Sequence, residues 1–189
     1  MPAARTRLAS VPSLPSPTTW SNQDLVLYHG TVDTFAAAIL RKVDPSKGRL
    51  GTDFGQGFYT TTLERQARAW AVQLAARRTT GAKPVLPAVI RFDVPRDDLA
   101  ALEAAWFIRG AYDADEFWSL VWHCRNCRPA HARTSVGPPP DFYELAIGPV
   151  AAIWRQSAAL YDSDQISFHT VKAADVLNRL PVHKKQVIP

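Results

Sequence analysis

Asp53-Phe54-Gly55-Gln56-Gly57-Phe58-Tyr59-Thr60-Thr61 carries a turn, a strand and the approach to a helix in one short stretch. Gly48, Gly51, Gly55 and Gly57 crowd residues 47–57, which predicts a loop that bends sharply or approaches a ligand closely. Phe58 to Thr61 then reads as a strand. Thr61 and Glu64 have the spacing of a capping box, so a helix is expected immediately afterwards. Leu63, Ala67, Trp70, Ala71 and Leu74 fall on one face of it, Arg77 and Arg78 suit its C-terminal dipole, and Gly81 stops it.

Working outward toward the N-terminus, Leu25-Val26-Leu27-Tyr28-His29 is a short apolar run closed by Gly30, the pattern of a buried strand. Asp33 or Thr34 can cap a helix over Phe35 to Lys42, stopped by Asp44-Pro45. Toward the C-terminus, Val85 to Val94 is strand-like, with Pro87 at an edge or among its first residues. Helices are expected over Asp97 to Ala105 and Asp115 to Cys124, the latter with Phe117, Leu120, Val121 and Cys124 on a shared face. Cys127 to Pro140 reads as a loop. Phe142 to Val150 and Gln165 to His169 read as strands, and Thr170 can cap a last helix through Leu180. Strands and long helices do not alternate regularly, so the expected class is α+β rather than a doubly wound sheet.

The 189 residues suffice for one domain with a buried core, and 47% of them are hydrophobic, which argues against global disorder. Residues 1–20 hold two arginines and four prolines without an apolar core segment. They read as a flexible Ser/Pro-rich tail, or as an uncleaved address for a specialised secretion system, rather than as a signal peptide. The domain proper is then expected over 21–189. No apolar run approaches the roughly 18 residues that span a bilayer, so a soluble protein without a membrane partner is expected. Its two cysteines, Cys124 and Cys127, exclude a disulfide framework and suit a reducing cytoplasm. The net charge of +5 includes a basic stretch with Arg125, Arg128 and Arg133. That stretch reads first as a solvated loop and second as a contact for nucleic acid or phosphate.

Three stretches could carry chemistry: Tyr28-His29-Gly30-Thr31 at a strand end, the Asp53–Thr61 block, and Asp164-Gln165-Ile166-Ser167-Phe168-His169-Thr170. Taken singly, each has an ordinary structural reading. A histidine after a buried strand is commonly a satisfied core residue, Tyr59 could be strand packing, and Gly55 and Gly57 could be a turn. His169 reads as structural. In this joint order the segments resemble the bacterial ADP-ribosyltransferases of the His-Tyr type, related to diphtheria toxin and the poly-ADP-ribose polymerases. The nearest branch is the one with the HYD signature, long catalogued as a domain of unknown function. Gln66-Ala67, Trp70-Ala71 and Ile147-Gly148-Pro149-Val150-Ala151 extend the resemblance, which covers about Leu25 to Leu180.

That resemblance implies a split mixed and antiparallel β-sheet core with flanking helices and a bent NAD⁺ across two central strands. It gives His29 the adenosine ribose hydroxyls, Gly30 the nicotinamide carboxamide, and Tyr59 a stacking role on the nicotinamide ring. Thr31, Phe54, Gly55 and Gly57 would complete the NAD⁺-binding set, with His29, Tyr59 and Gln165 as the catalytic positions. The third position departs from the commoner glutamate. Gln165 can orient a ribose hydroxyl but supplies no full charge and no base. Asp164 is the charged alternative, though strand neighbours point to opposite faces.

The implied activity is NAD⁺-dependent mono-ADP-ribosylation by a bacterial toxin or effector, with NAD⁺ hydrolysis or a silent NAD⁺- or ADP-ribose-binding module as alternatives. Implied partners are a protein or nucleic-acid acceptor and an antitoxin or immunity protein. The place of action would be the cytoplasm, or a host reached without a cleavable signal peptide. No metal is expected. Cys124-x-x-Cys127 with His123 and His131 lacks the paired motif of a closed zinc site. No P-loop, GxGxxG or HExxH motif occurs.

Overall fold

Strand β1 (Asp24–Val32) runs straight through Gly30 and pairs antiparallel along its whole length with β3 (Pro87–Pro95), Leu27 facing Phe92 and Gly30 facing Val89. The computed structural model describes residues 24–79, 84–107, 114–126 and 143–188. The tail over 1–20, the Gly81 stop, and the loop from Cys127 to Pro140 with Arg128, His131 and Arg133 lie outside the described residues.

Strand β7 (Lys185–Ile188), which the sequence reading did not anticipate, adds to the far side of β3 and completes a sheet of order β1-β3-β7. A second sheet has the order β2-β6-β5-β4, built from β2 (Phe58–Thr60), β4 (Ala104–Trp106), β5 (Leu145–Gly148) and β6 (Gln165–Phe168). Its pairs are antiparallel except β4 with β5, which is parallel. The fold is thus α+β with mixed and antiparallel sheets and flanking helices, as expected.

Helices α1 (Asp33–Arg41) and α2 (Glu64–Arg78) follow β1 and β2. The short α3 (Arg96–Ala100), then α4 (Ala114–Arg125) and α5 (Val171–Asn178), complete the described set. The main core lies between the two sheets. Leu27, Ile90, Phe92 and Val94 from the first meet Phe58, Leu145, Ile166 and Phe168 from the second, with Ala173, Ala174 and Leu177 of α5 beside them. Each large side chain buried there contributes roughly 1.5–3 kcal/mol of transfer free energy. On the outer face of the second sheet, Phe54, Phe117, Val121, Ala146 and Ala151 form a smaller cluster under α4. On the outer face of the first, Ala67 and Ala71 of α2 pack on Val89 and Tyr28.

Several expectations are corrected. The capping box does not form: Leu63 precedes α2 without a side-chain cap, and Glu64 pairs instead with Arg68 at 2.7 Å. The buried face of α2 is the small-residue row Ala67, Ala71 and Ala75, while Trp70 is 45% exposed. Alanines let the helix lie close on β1, which a tryptophan would prevent. The helix expected over Asp97 to Ala105 ends at Ala100, and Ala104 and Ala105 join the parallel strand pair instead. Neither Asp33 nor Thr34 caps α1 from outside. Asp33 is its first residue, and its carboxylate accepts from the backbone N–H groups of Thr34 and Leu86. The Thr170 cap does form, its hydroxyl accepting from the Ala173 N–H at 3.1 Å.

Candidate functional site

Among the described residues, the two sheets are joined by a single antiparallel bridge between Tyr28 and Thr61, which exchange both peptide hydrogen bonds at 2.8 and 2.9 Å. In a continued ladder the next hydrogen-bonded pair would be Gly30 with Tyr59, because alternate residues of a strand direct their N–H and C=O to the same side. That pair is absent. His29 Nδ1 instead lies 2.6 Å from the Tyr59 carbonyl oxygen, so the imidazole takes the acceptor that Gly30 would have used. Its ring stacks on Phe58 with centroids 4.2 Å apart. The histidine therefore sits as a wedge where β1 and β2 part. Among the described residues, the Gly30 N–H and C=O are left without a backbone partner there, although the residue itself is buried.

A carbonyl can only accept, so His29 Nδ1 carries the proton and Nε2 is the acceptor of the ring. Crowding around the ring, which retains partial exposure, pulls the His29 pKa down to about 4 against the raising effect of the Tyr59 bond. Near pH 7 the imidazole is neutral, and Nε2 is a lone-pair acceptor suited to a hydroxyl group. Gly30 is required for a reason other than ligand approach. A Cβ there would stand 2.1 Å from the Ala67 carbonyl oxygen of α2.

Tyr59 is anchored by its hydroxyl, which donates to the Gly55 carbonyl at 2.7 Å and accepts from the Phe54 N–H at 3.0 Å. Burial raises its pKa well above the usual tyrosine value, so it remains a donor. Gly55 adopts the left-handed φ of 82° that this turn requires, and the Thr52 hydroxyl also donates to its carbonyl. Gly57 packs directly on the end of β6, where a Cβ would stand 2.8 Å from both the Phe168 carbonyl and His169 Nδ1. His169 ties the same loop down, Nδ1 donating to the Gln56 carbonyl at 2.9 Å with Nε2 2.7 Å from the Ser167 hydroxyl. Its expected structural role agrees with these contacts.

Five members of the expected binding set are buried: Gly30, Thr31, Phe54, Gly55 and Gly57. Phe54 is wholly enclosed in the cluster under α4, so its side chain supports the loop instead of lining an opening. Thr31 is likewise buried in β1, opposite Ala88.

Gln165 opens β6 on the same face as Tyr59, in the register that sets Ser167 opposite Tyr59. It is 7% exposed, and its Nε2 donates to Asp53 Oδ2 at 2.7 Å and to the Pro149 carbonyl at 2.9 Å. Asp164 faces elsewhere. Its carboxylate accepts from the hydroxyls of Thr61 and Thr62 and from the Thr62 N–H at 2.9 Å, fastening β6 to the approach of α2.

Sequence reading passed over Asp53 as a site residue. It is 3% exposed and accepts from Arg125 Nε at 2.7 Å, from the Ala151 N–H at 2.9 Å and from Gln165. Arg125, expected within a solvated basic loop, ends α4 and faces this carboxylate, its second nitrogen 2.5 Å away. Cys124 packs on the buried face of α4 as expected, and burial pushes its thiol up to about 12. Among the described residues no cluster of potential ligands could hold a metal ion; Cys127 and His131 lie outside them. Among them, too, no helix is long and apolar enough to cross a membrane.

The fold and site together define an α+β protein whose two sheets are split by a histidine at the first strand. A family model described as a protein of unknown function (DUF3990) matches residues 25–154, well over half of the chain, and the chain belongs to that family. The match takes in His29, Gly30, Asp53, Tyr59 and Arg125 and stops short of Gln165. No curated protein and no solved structure gives a match.

Proposed function

We propose that the protein is an NAD⁺-dependent mono-ADP-ribosyltransferase, acting as a bacterial toxin or effector on a macromolecular acceptor. The observation that carries this reading is the wedge of His29 between β1 and β2, its ring against the Tyr59 carbonyl, with the peptide groups of the buried Gly30 left without a backbone partner. A free N–H and C=O on one residue complement a primary carboxamide, the group that distinguishes nicotinamide. Nε2 of a neutral His29 can accept from a ribose hydroxyl, and the fixed ring of Tyr59 offers a stacking partner to the nicotinamide.

In the proposed reaction the nicotinamide–ribose bond breaks and nicotinamide leaves with the bonding pair. A nucleophile of the acceptor then joins the ribose carbon and gives up its proton. The transition state has oxocarbenium character, so fixed acceptors and a water-poor setting help most. Gln165 supplies such an acceptor without a full charge, which fits single transfer. The same neutrality also favours a second reading, a module that binds NAD⁺ or ADP-ribose without turnover. No metal is required by either.

Labelled NAD⁺ separates them. Release of nicotinamide that vanishes in Tyr59→Ala supports the enzyme, whereas tight binding without release supports the module. Mass spectrometry of cell extract after exposure then shows whether ADP-ribose sits on protein, on nucleic acid or only in water-cleaved product. The last outcome would make the protein an NAD⁺ glycohydrolase. An antitoxin or immunity partner and delivery to a host belong to the same proposal and follow from which cells the active protein harms.

A further inference from the structure

We propose that Asp53 is a positioning residue for the NAD⁺ reaction and works as one unit with Gln165, so that the site is built for an amide and excludes glutamate at position 165. The inference rests on the NAD⁺ reading above. Both groups that meet the end of the Gln165 side chain, the Asp53 carboxylate and the Pro149 carbonyl, can only accept. The NH₂ of Gln165 must therefore face them, and its orientation is fixed by chemistry. Oε1 then has no partner among the described residues and is the end presented to a ribose hydroxyl.

Asp53 is itself held on three sides. Arg125 and the Ala151 N–H fix its two oxygens, which leaves Oδ2 aimed at Gln165 with little freedom. A buried carboxylate hydrogen-bonded to the NH₂ end draws electron density toward Oε1, strengthening it as an acceptor in a low-dielectric setting. The negative charge that a glutamate would bring directly thus sits one residue back, balanced by Arg125. Glutamate at 165 would face a carboxylate at about the present 2.7 Å and a carbonyl at 2.9 Å. It would have to be protonated to stay there.

A double-mutant cycle on nicotinamide release by the full chain tests this, with Asp53→Asn, Gln165→Ala and the pair. Asp53→Asn lets the amide turn over, and kcat is expected to fall about tenfold or more while KM for NAD⁺ changes less than about threefold. In the Gln165→Ala background the same change is expected to have little further effect on kcat. Gln165→Glu is expected to lower kcat, with activity rising as pH falls toward protonation of the new carboxyl. Asp53→Asn with Arg125→Gln keeps the site electrically balanced and covers the case in which Asp53→Asn alone does not fold. Equal, additive losses from Asp53→Asn in both backgrounds, or a Gln165→Glu variant more active than wild type at pH 7, would overturn the positioning role while leaving the NAD⁺ reading intact. A folded wild type that neither binds nor cleaves NAD⁺ would overturn both.

Discussion

His29 Nδ1 and the carbonyl oxygen of Tyr59 stand 2.6 Å apart at the point where β1 and β2 separate. A side chain there replaces a rung of the ladder, and one contact sets both the tautomer of the histidine and the opening between the sheets. The proton on that ring couples stability to pH. The folded pKa is about 4 against a reference of 6.5, so the unfolded chain binds this proton more readily. The resulting stability is fully present above pH 6.5 and is lost as pH falls toward 4. Between pH 7 and pH 5 the wild type should lose on the order of 1–2 kcal/mol more than His29→Gln, by denaturant unfolding at each pH. Equal losses would mean that the ring is not held neutral.

Tyr59→Phe keeps the ring and removes the hydroxyl that joins the Phe54 N–H to the Gly55 carbonyl. Stability should fall by about 1–2 kcal/mol because both loop groups lose a partner. NAD⁺ affinity should change far less than in Tyr59→Ala. Thermal unfolding and a binding titration on the same preparations check the two halves.

Gly30→Ala should be strongly destabilising. Its methyl group would stand 2.1 Å from the Ala67 carbonyl, a backbone atom that cannot swing aside. A destabilisation of about 3 kcal/mol or more is expected, seen as lost soluble yield or a strongly lowered Tm.

Thr170→Ala removes the one N-cap hydrogen bond anticipated from sequence that is present, to the Ala173 N–H. A loss of about 1 kcal/mol is expected by chemical denaturation.

These positions differ in how far they could be read from the chain alone. Strong local patterns were legible. The run Leu25 to His29 is a strand, Thr170 is a cap, and Phe117, Val121 and Cys124 share a buried face of α4. Relations between distant segments were not. Glu64 has the right spacing for a capping box, yet α2 starts at Glu64 itself and the Thr61 hydroxyl goes to Asp164 across the fold. The tertiary partner outcompetes the local one. Ala104 and Ala105 have good helix propensity but sit beside Leu145 and Ala146, where a parallel strand pair buries them better. Lys185 to Ile188 is short and half polar, and only the free edge of β3 makes it a strand. At the candidate site, His29, Gly30 and Tyr59 were singled out by their motifs, and the structure sets them together where β1 and β2 part. Asp53 was not, because a loop aspartate next to a glycine turn looks solvated until Arg125 and Gln165 are brought to it from far along the chain.

Calorimetric titration of NAD⁺ into the folded wild-type protein, Tyr59→Ala and His29→Ala at pH 7 tests the His29–Tyr59 site most directly. The expected result is saturable binding by the wild type, weakened about tenfold or more in both variants while circular dichroism shows them folded. Absence of saturable binding by the wild type, or binding that neither substitution alters, would contradict an NAD⁺ site at His29 and Tyr59.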